Sequence, residues 1–424
     1  MRILMVGGGR ELQNRLRELD PGISTAALCR ASGLDLIRGI DVNEATIVLP
    51  DRADAAAWAR AAQQLHAVWP VDRVVALAEI DQDKAADVAV ALGLPYHSPE
   101  TVALATDKVR MRRRLAETGV DDLPAIELSG VEELAEFHRR VGSVIVKPAA
   151  GRGSAGVAEV HAPADVAAAY AHALAGANDT GLGGACLQQS SPMAERLLVG
   201  PEFSVEAFTV DGQHHVFAIT EKFLDARTKV ELGHVIPARI PAGTAARIVA
   251  YVDKILTALD VRFGITHTEV ILDHGDPVIV ETHLRKAGGE IIAVVRSATT
   301  VDMDDLTVRQ AAGQDLADEP ELKARCDGPR YEAAGAILYL APDLTGELLG
   351  VDGGEDVAAL PGVVEYRQLL PDGARLTGLT SSLARVARVR VEGATAEEAL
   401  NRGRQALAAL RVRVACHPAV DHFN

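Results

Sequence analysis

The stretch IVKPAAGRGSAGV, residues 145–157, constrains the fold more than any other part of this 424-residue chain. Its Gly151-x-Gly153-x-x-Gly156 spacing fits the dinucleotide fingerprint, but that fingerprint requires the glycines to open a helix whose N-terminus receives a pyrophosphate. Here the glycines are preceded by SVIVKP and followed by VAEVH, and both segments read as strands. Glycines that join two strands make a hairpin. No Gly-Lys-Ser/Thr follows them, which excludes a Walker A loop. What remains is a flap whose backbone N–H groups close over nucleotide phosphates, with Lys147 at the end of the first strand as counter-charge.

The rest of the chain suits such a small-molecule site. At 48% hydrophobic and 24% charged residues it is an ordinary globular protein of two or three domains. A net charge of −16 argues against nucleic acid as a partner, because backbone binding depends on clustered Lys and Arg. Cys29, Cys186, Cys326 and Cys416 form no C-x-x-C pair, which disfavours a zinc knuckle or disulfide framework and suits idle thiols in a reducing cytoplasm. The apolar run in MRILMVGGGRELQ is too short for a signal peptide, and no run of about 18 apolar residues occurs, so the expectation is a cytoplasmic protein with no membrane contact.

Residues 1–9 read as a buried strand, RILMV, ending in Gly7, Gly8 and Gly9, and VDRVVALAE reads as another. With alanine-rich helices such as DAAAWARAAQQLHAV between them, residues 1 to about 100 predict a βαβ layer with a parallel sheet. The glycine run either cradles a phosphate or serves the turn alone. DKVRMRRRLAETGV predicts a helix with Lys108 in its first turn and Gly119 at its end.

In AERLLVGPEFSVEAFTVDG the second half alternates as a half-buried strand, placing Glu202 and Glu206 on one face and ending in an Asp211-Gly212 hairpin signal. A strand pair follows that presents Lys222, Glu231 and His234. The segment GITHTEVILDHGDPVIVETHLRKAGGE predicts a hairpin with Glu269 on one arm and Glu281 on the other. Depending on register, the two carboxylates either face one another across the ladder or never meet. If they meet, a divalent cation that also holds substrate phosphates relieves their repulsion, and Mg²⁺ suits oxygen ligands. His283, Arg285, Gly288 and Gly289 follow within a few residues, an unusual density of chemistry for a loop. Residues 333–424 predict a last α+β unit, in which Thr395 and Glu398 form a capping box and the seven arginines from Arg385 to Arg413 mostly make a solvated face.

Taken together, Lys108, VKPAAGRGSAGV, ERLLVGPEFSVE, HTEV and VETHLR resemble, in order and spacing, the ATP-grasp superfamily of carboxylate–amine ligases. GPEFSVE, VELGHVIPA, the glycine pair and the long C-terminal unit look most like its L-amino acid ligase branch. The resemblance implies an α/β fold with a Rossmann-like N-terminal domain at 1–105, a two-lobed ATP-grasp domain at 106–320 with a flap at about 140–195, and a C-terminal α+β unit at 321–424. It implies ATP and Mg²⁺, with Mn²⁺ able to replace it, small carboxylate and amine substrates, and a homodimer.

Residue by residue, it implies that Lys108 and Lys147 contact the nucleotide phosphates and that Gly151, Arg152, Gly153, Ser154 and Gly156 form the flap. Glu195 and the backbone at Leu197 and Leu198 match the adenine and ribose hinge, with Gln188 or Gln189 as competitors, and Glu202 joins the ATP-binding set. Glu269, Glu281 and His283 match the metal positions, although the family has Asn where this chain has His283. Arg285 matches the arginine that neutralises the transferred phosphoryl group. Lys222, Glu231, His234, Gly288 and Gly289 fall where substrate contacts lie, and His234 is either such a contact or packing. The implied reaction is amide formation through an acyl phosphate with release of ADP and phosphate. The alternatives are a purine-biosynthesis-type or biotin-carboxylase-type ATP-grasp enzyme, and a non-catalytic ATP-binding regulatory protein.

Overall fold

The computed structural model describes residues 1–9, 11–151, 156–177 and 190–415. Arg152, Gly153 and Ser154 of the expected flap lie outside these residues, as do Cys186, Gln188, Gln189 and Cys416.

The first layer is a parallel sheet of β1 (Arg2–Val6), β2 (Ser24–Arg30), β3 (Ala45–Leu49) and β4 (Arg73–Val75), in the order β3-β2-β1-β4. Alternation along β1 supplies two cores, as a doubly covered sheet requires: Leu4 and Val6 pack with Trp58 and Ala62, while Ile3 and Met5 pack with Leu12 and Leu16. Close packing accounts for the glycines after β1. A Cβ on Gly7 would lie 2.7 Å from the Asp81 carboxylate, and one on Gly8 would lie 2.6 Å from Ile37. Asp81 is itself buried and accepts from Arg30 Nε at 2.7 Å.

The expected flap sits on a four-stranded antiparallel sheet of β5 (Ala125–Glu127), β6 (Val144–Pro148), β7 (Ala158–Val160) and β8 (Pro192–Arg196), in the order β5-β8-β6-β7. Val144 pairs with Val160 and Val146 with Ala158, so the glycine stretch joins two antiparallel strands. Lys147 lies just beyond the last of those pairs. Gly156 has φ of +72°, and a Cβ there would lie 2.9 Å from Gly176 Cα, so glycine is required on both counts.

The site is built on an eight-stranded antiparallel sheet, which begins with β9 (Glu202–Val210), β10 (Gln213–Leu224), β11 (Glu231–Ile236), β12 (Gly264–Asp273), β13 (Asp276–His283) and β14 (Ala334–Leu340). After β15 (Thr345–Asp352) come β16 (Val363–Gln368), β17 (Arg375–Thr377), β18 (Ala387–Gly393) and β19 (Arg411–Ala415). The large sheet runs β13-β12-β9-β10-β11-β14-β18-β16, and β17-β15-β19 form a small sheet beside it. Strands from the C-terminal part thus continue the sheet that carries the central hairpins.

One face of this sheet is fixed by the helix Ala242–Ala258. Its buried Ile248, Val252, Ile255 and Leu256 make an apolar stripe of helical period, packed on Val205, Val270 and Ile279. Each such side chain contributes about 1.5–3 kcal/mol of burial. The opposite parity on β9, Glu202, Ser204 and Glu206, is thereby committed to the other face. Helix Ala396–Ala409 packs near the far end of the sheet; Thr395 Oγ1 caps it by accepting from Glu398 N at 3.2 Å. The Glu398 carboxylate accepts from Ala394 N at 2.7 Å, one residue beyond the Thr395 N–H that the expected capping box would use. Among the described residues, no helix is long and apolar enough to cross a membrane.

Candidate active site

Glu269 and Glu281 face one another across β12 and β13 because of a bulge. The register pairs Glu269 with Glu281 but Val270 with Ile279, so Val280 is an extra residue on β13. Ile279 and Glu281 are two apart and would otherwise share a face; the bulge lets Ile279 enter the core while Glu281 joins the site.

The turn between these strands is His274-Gly275, with φ of 52° and 92°, which suits a two-residue hairpin. Each carboxylate has its own lysine. Lys222 Nζ, from β10, donates to Glu269 at 2.9 Å and also to Glu202. Lys108 Nζ lies 2.7 Å from Glu281 Oε2 and 3.3 Å from the Gly151 carbonyl. Lys108 is held there by its helix: Asp107 caps it, accepting from the N–H groups of Val109 and Arg110 at 2.9 and 3.1 Å.

Beside the glutamate pair stand two histidines in matching register, His267 opposite His283, with ring centroids 5.8 Å apart and planes 12° from parallel. His267 Nδ1 is 3.0 Å from Glu206, and its Nε2 is 3.2 Å from Glu269. His283 Nδ1 is 3.2 Å from Glu79, and its Nε2 is 3.1 Å from Glu281. Carboxylates at both nitrogens of each ring favour its doubly protonated, imidazolium form. Burial opposes that charge, but Glu206 and Glu269 outweigh it and push His267 up to about 10. His283 is likewise raised against burial, first by Glu281. His283 is thereby placed between Glu281 and Glu79 as a counter-ion.

Arg285 completes this side, its Nε donating to Glu79 Oε2 at 2.7 Å. Burial raises the Glu79 carboxyl, yet His283 and Arg285 outweigh it and hold it at about 2. Under the flap sheet, Lys147 and Arg112 both pair with the buried Glu195 at 2.8 Å, and Arg112 also reaches Asp121 at 3.3 Å and the Ile279 carbonyl. Burial, Lys108 and Arg112 depress the Lys147 ammonium against the pull of Glu195. Glu195 is thus turned inward to two cations. The Leu197 N–H is taken by the Ser143 carbonyl at 2.9 Å, and Leu198 follows β8 outside the cavity.

A cavity of about 170 Å³ opens over this lattice, and Lys222, Glu231, Glu269, Glu281, His283, Arg285, Gly288 and Gly289 line it together. Glu202 reaches it through Lys222, and Lys108 through Glu281. His234 is fully buried beside it, its Nδ1–H donating to Glu231 at 2.6 Å, and its Nε2 has no partner among the described residues. Gly289 has φ of 60°, and a Cβ there would lie 3.1 Å from the Tyr339 hydroxyl, so backbone approaches the cavity where a side chain has no room.

Five site residues carry no site role in the sequence reading: Glu79, Arg112, Glu206, His267 and Arg385. The histidine pair had a signal, since H-T-E at 267–269 and E-T-H at 281–283 mirror one another about the hairpin. Arg385 and Arg388 also depart from the expected solvated face; Arg385 lines the cavity and Arg388 is buried between Glu290 and Glu365 at 2.9 and 3.1 Å.

Mg²⁺ is bound through one or two carboxylates together with substrate phosphates, and the facing Glu269 and Glu281 fit that mode. Among the described residues, no group of three or more His, Cys, Asp or Glu side chains forms a protein-only metal cage.

A family model described as the ATP-grasp domain matches residues 141–294, which span the flap strands, the paired glutamates and Arg285. Residues 141–294 thus form an ATP-grasp domain. A second model, the L-amino acid ligase C-terminal domain 2, matches residues 338–415. The L-amino acid ligase from Bacillus licheniformis is similar over 98% of this chain and 99% of its own, with a TM-score of 0.77 and 21% identity. Phosphoribosylglycinamide synthetase from Anaerococcus prevotii gives 0.66 at 14% identity over 98% and 99%. The biotin carboxylase domain of 2-oxoglutarate carboxylase from Hydrogenobacter thermophilus gives 0.67 at 17% identity over 97% and 90%. At these identities the solved structures establish the α/β ATP-grasp fold. Uncharacterized protein y4rH of Sinorhizobium fredii is 27% identical over 291 residues, 66% of this chain and 55% of that protein, so the match spans about half of the curated relative's length.

Proposed function

We propose that the protein is an ADP-forming carboxylate–amine ligase that makes an amide bond through an acyl phosphate, with an amino acid or related small metabolite as acid. The observation that carries this reading is the facing of Glu269 and Glu281 beside Lys108, Lys222 and Arg285 at one cavity. The match to an L-amino acid ligase C-terminal domain and the higher similarity to the B. licheniformis ligase support the amino acid branch. We propose the same divisions as the sequence suggests, 1–105, 106–320 and 321–424, with the large sheet shared by the last two.

A carboxylate is a poor electrophile, so the γ-phosphoryl of ATP is first transferred to it. The amine then forms the C–N bond as the C–O bond to phosphate breaks. The first step needs positioning and charge neutralisation more than covalent help. Lys147 and Lys108 receive the phosphates, and Arg285, oriented by Glu79, neutralises the transferred group. Glu269 and Glu281 would hold Mg²⁺, which neutralises phosphate charge when bound. The flap from Gly151 to Gly156 excludes the water that would hydrolyse the acyl phosphate. His234, buried beside the cavity and hydrogen-bonded to Glu231, would hold that carboxylate in place on the substrate side.

The test is phosphate release from ATP and Mg²⁺ across a panel of carboxylates with and without amines. Release that needs both partners is expected. Release that needs bicarbonate or a ribonucleotide amine would place the enzyme with the carboxylases or purine enzymes, and nucleotide binding without release would make it a binding protein.

A further inference from the structure

We propose that Arg385, from the C-terminal part of the chain, is a specificity-determining residue that binds a carboxylate on the amine-bearing substrate. The inference rests on the ligase reading above and concerns a residue outside the matched phosphate and metal positions.

Among the described residues, four other cationic groups line the cavity, and all are neutralised at close range. Lys222 has Glu269 at 2.9 Å, Arg285 has Glu79 at 2.7 Å, and His267 and His283 have Glu206 and Glu281 at 3.0 and 3.1 Å. Arg385 differs. Its recorded carboxylate neighbour, Glu231 Oε2, is 4.0 Å away, and that carboxylate is already engaged with His234 at 2.6 Å. The one hydrogen bond recorded for its guanidinium among the described residues runs from Nε to the Glu231 carbonyl at 2.9 Å. The two terminal nitrogens are therefore left with their donors available, on a side chain only 12% exposed.

The guanidinium is also held rigidly. It lies 3.9 Å from the Tyr339 ring centroid, and the Tyr339 hydroxyl donates to the Gly289 carbonyl at 3.1 Å. The same tyrosine thus fixes the arginine and the bare backbone against which a substrate rests. A pre-oriented planar fork beside a cavity lined by carboxylates matches one class of ligand group, an oxyanion with two coplanar oxygens. The transferred phosphoryl group has Arg285 and the lysines, so Arg385 is assigned to a carboxylate on the amine partner. That carboxylate would make the amine partner amino-acid-like and orient its nitrogen.

The experiment compares L-alanine with L-alaninamide, and L-phenylalanine with its amide, as acceptors for the best carboxylate found in the release panel. Thermal shifts of the ADP-bound protein with the same four probes are read in parallel. The wild type should favour each free acid over its amide by about 10- to 100-fold in kcat/KM, the value of a hydrogen-bonded charge pair. Arg385→Gln should bring that ratio close to one and abolish the acid-specific thermal shift. Should Arg385→Gln fail to fold, Arg385→Lys keeps the charge without the fork and should lower the ratio partway. Parallel loss for acid and amide, or a wild-type ratio near one, would overturn the proposal. If no carboxylate and amine pair releases phosphate, the ligase reading fails by itself, and the thermal shifts still decide whether Arg385 binds a carboxylate.

Discussion

Glu269 and Glu281 lie directly opposite one another across β12 and β13, and each is bound by a lysine from a different element, Lys222 from β10 and Lys108 from the helix Lys108–Glu117. Those ammonium groups and the flanking histidine rings balance the charge of the two facing carboxylates.

Glu281→Gln keeps the shape of the side chain and removes its charge. ADP formation is expected to fall by at least about 100-fold, the range seen when one charge-stabilising contact is lost, while the circular dichroism spectrum and melting cooperativity persist. Normal turnover would contradict the role given to this residue.

Glu79 comes from a short turn after β4 and orients Arg285 from 206 residues away in sequence. If it acts through that arginine, Glu79→Gln and Arg285→Gln are not additive: a double-mutant cycle in kcat/KM should give a coupling of about 1 kcal/mol or more. Additive losses would make Glu79 an independent contact.

Glu195 neutralises Lys147 and Arg112 in the interior. Glu195→Ala leaves two buried cations without their shared partner, and urea unfolding should show a loss of about 3–5 kcal/mol. A loss below about 1 kcal/mol would show that the pair is solvated.

Stability should fall on both sides of a plateau. Glu79 and Glu195 are buried, yet their cationic neighbours hold both at about 2. Their contribution is complete above the ordinary glutamate value near 4.3 and is lost as pH falls toward 2. His267 is raised to about 10 against burial, so its contribution is complete below the ordinary histidine value of about 6.5 and is lost as pH rises to about 10. Melting temperatures measured across pH should show both slopes, and His267→Gln should flatten the alkaline one. An unchanged alkaline slope in that variant would mean that His267 does not carry it.

How far the site can be read from sequence depends on what places each residue. The β12–β13 hairpin is legible because alternation and the His274-Gly275 turn are local, and the mirrored H-T-E and E-T-H motifs lie on its arms. The facing of the glutamates is not, since it depends on the Val280 bulge, which alternation alone does not reveal. Lys108 and Lys147 are legible as cations on a helix start and a strand end. Glu79 and Arg385 are not, because their partners are far away in sequence and each looks like an ordinary loop charge. The glycine stretch shows the reverse problem: its letters fit a helix-opening fingerprint, and only the flanking strands show that it joins a hairpin.

The most direct test of the acyl phosphate uses a substrate carboxylate labelled with ¹⁸O. Attack of that carboxylate on the γ-phosphorus leaves one of its oxygens on phosphorus when the amine displaces phosphate. One ¹⁸O in the released phosphate is the expected result. Unlabelled phosphate formed alongside a normal amide product would contradict it.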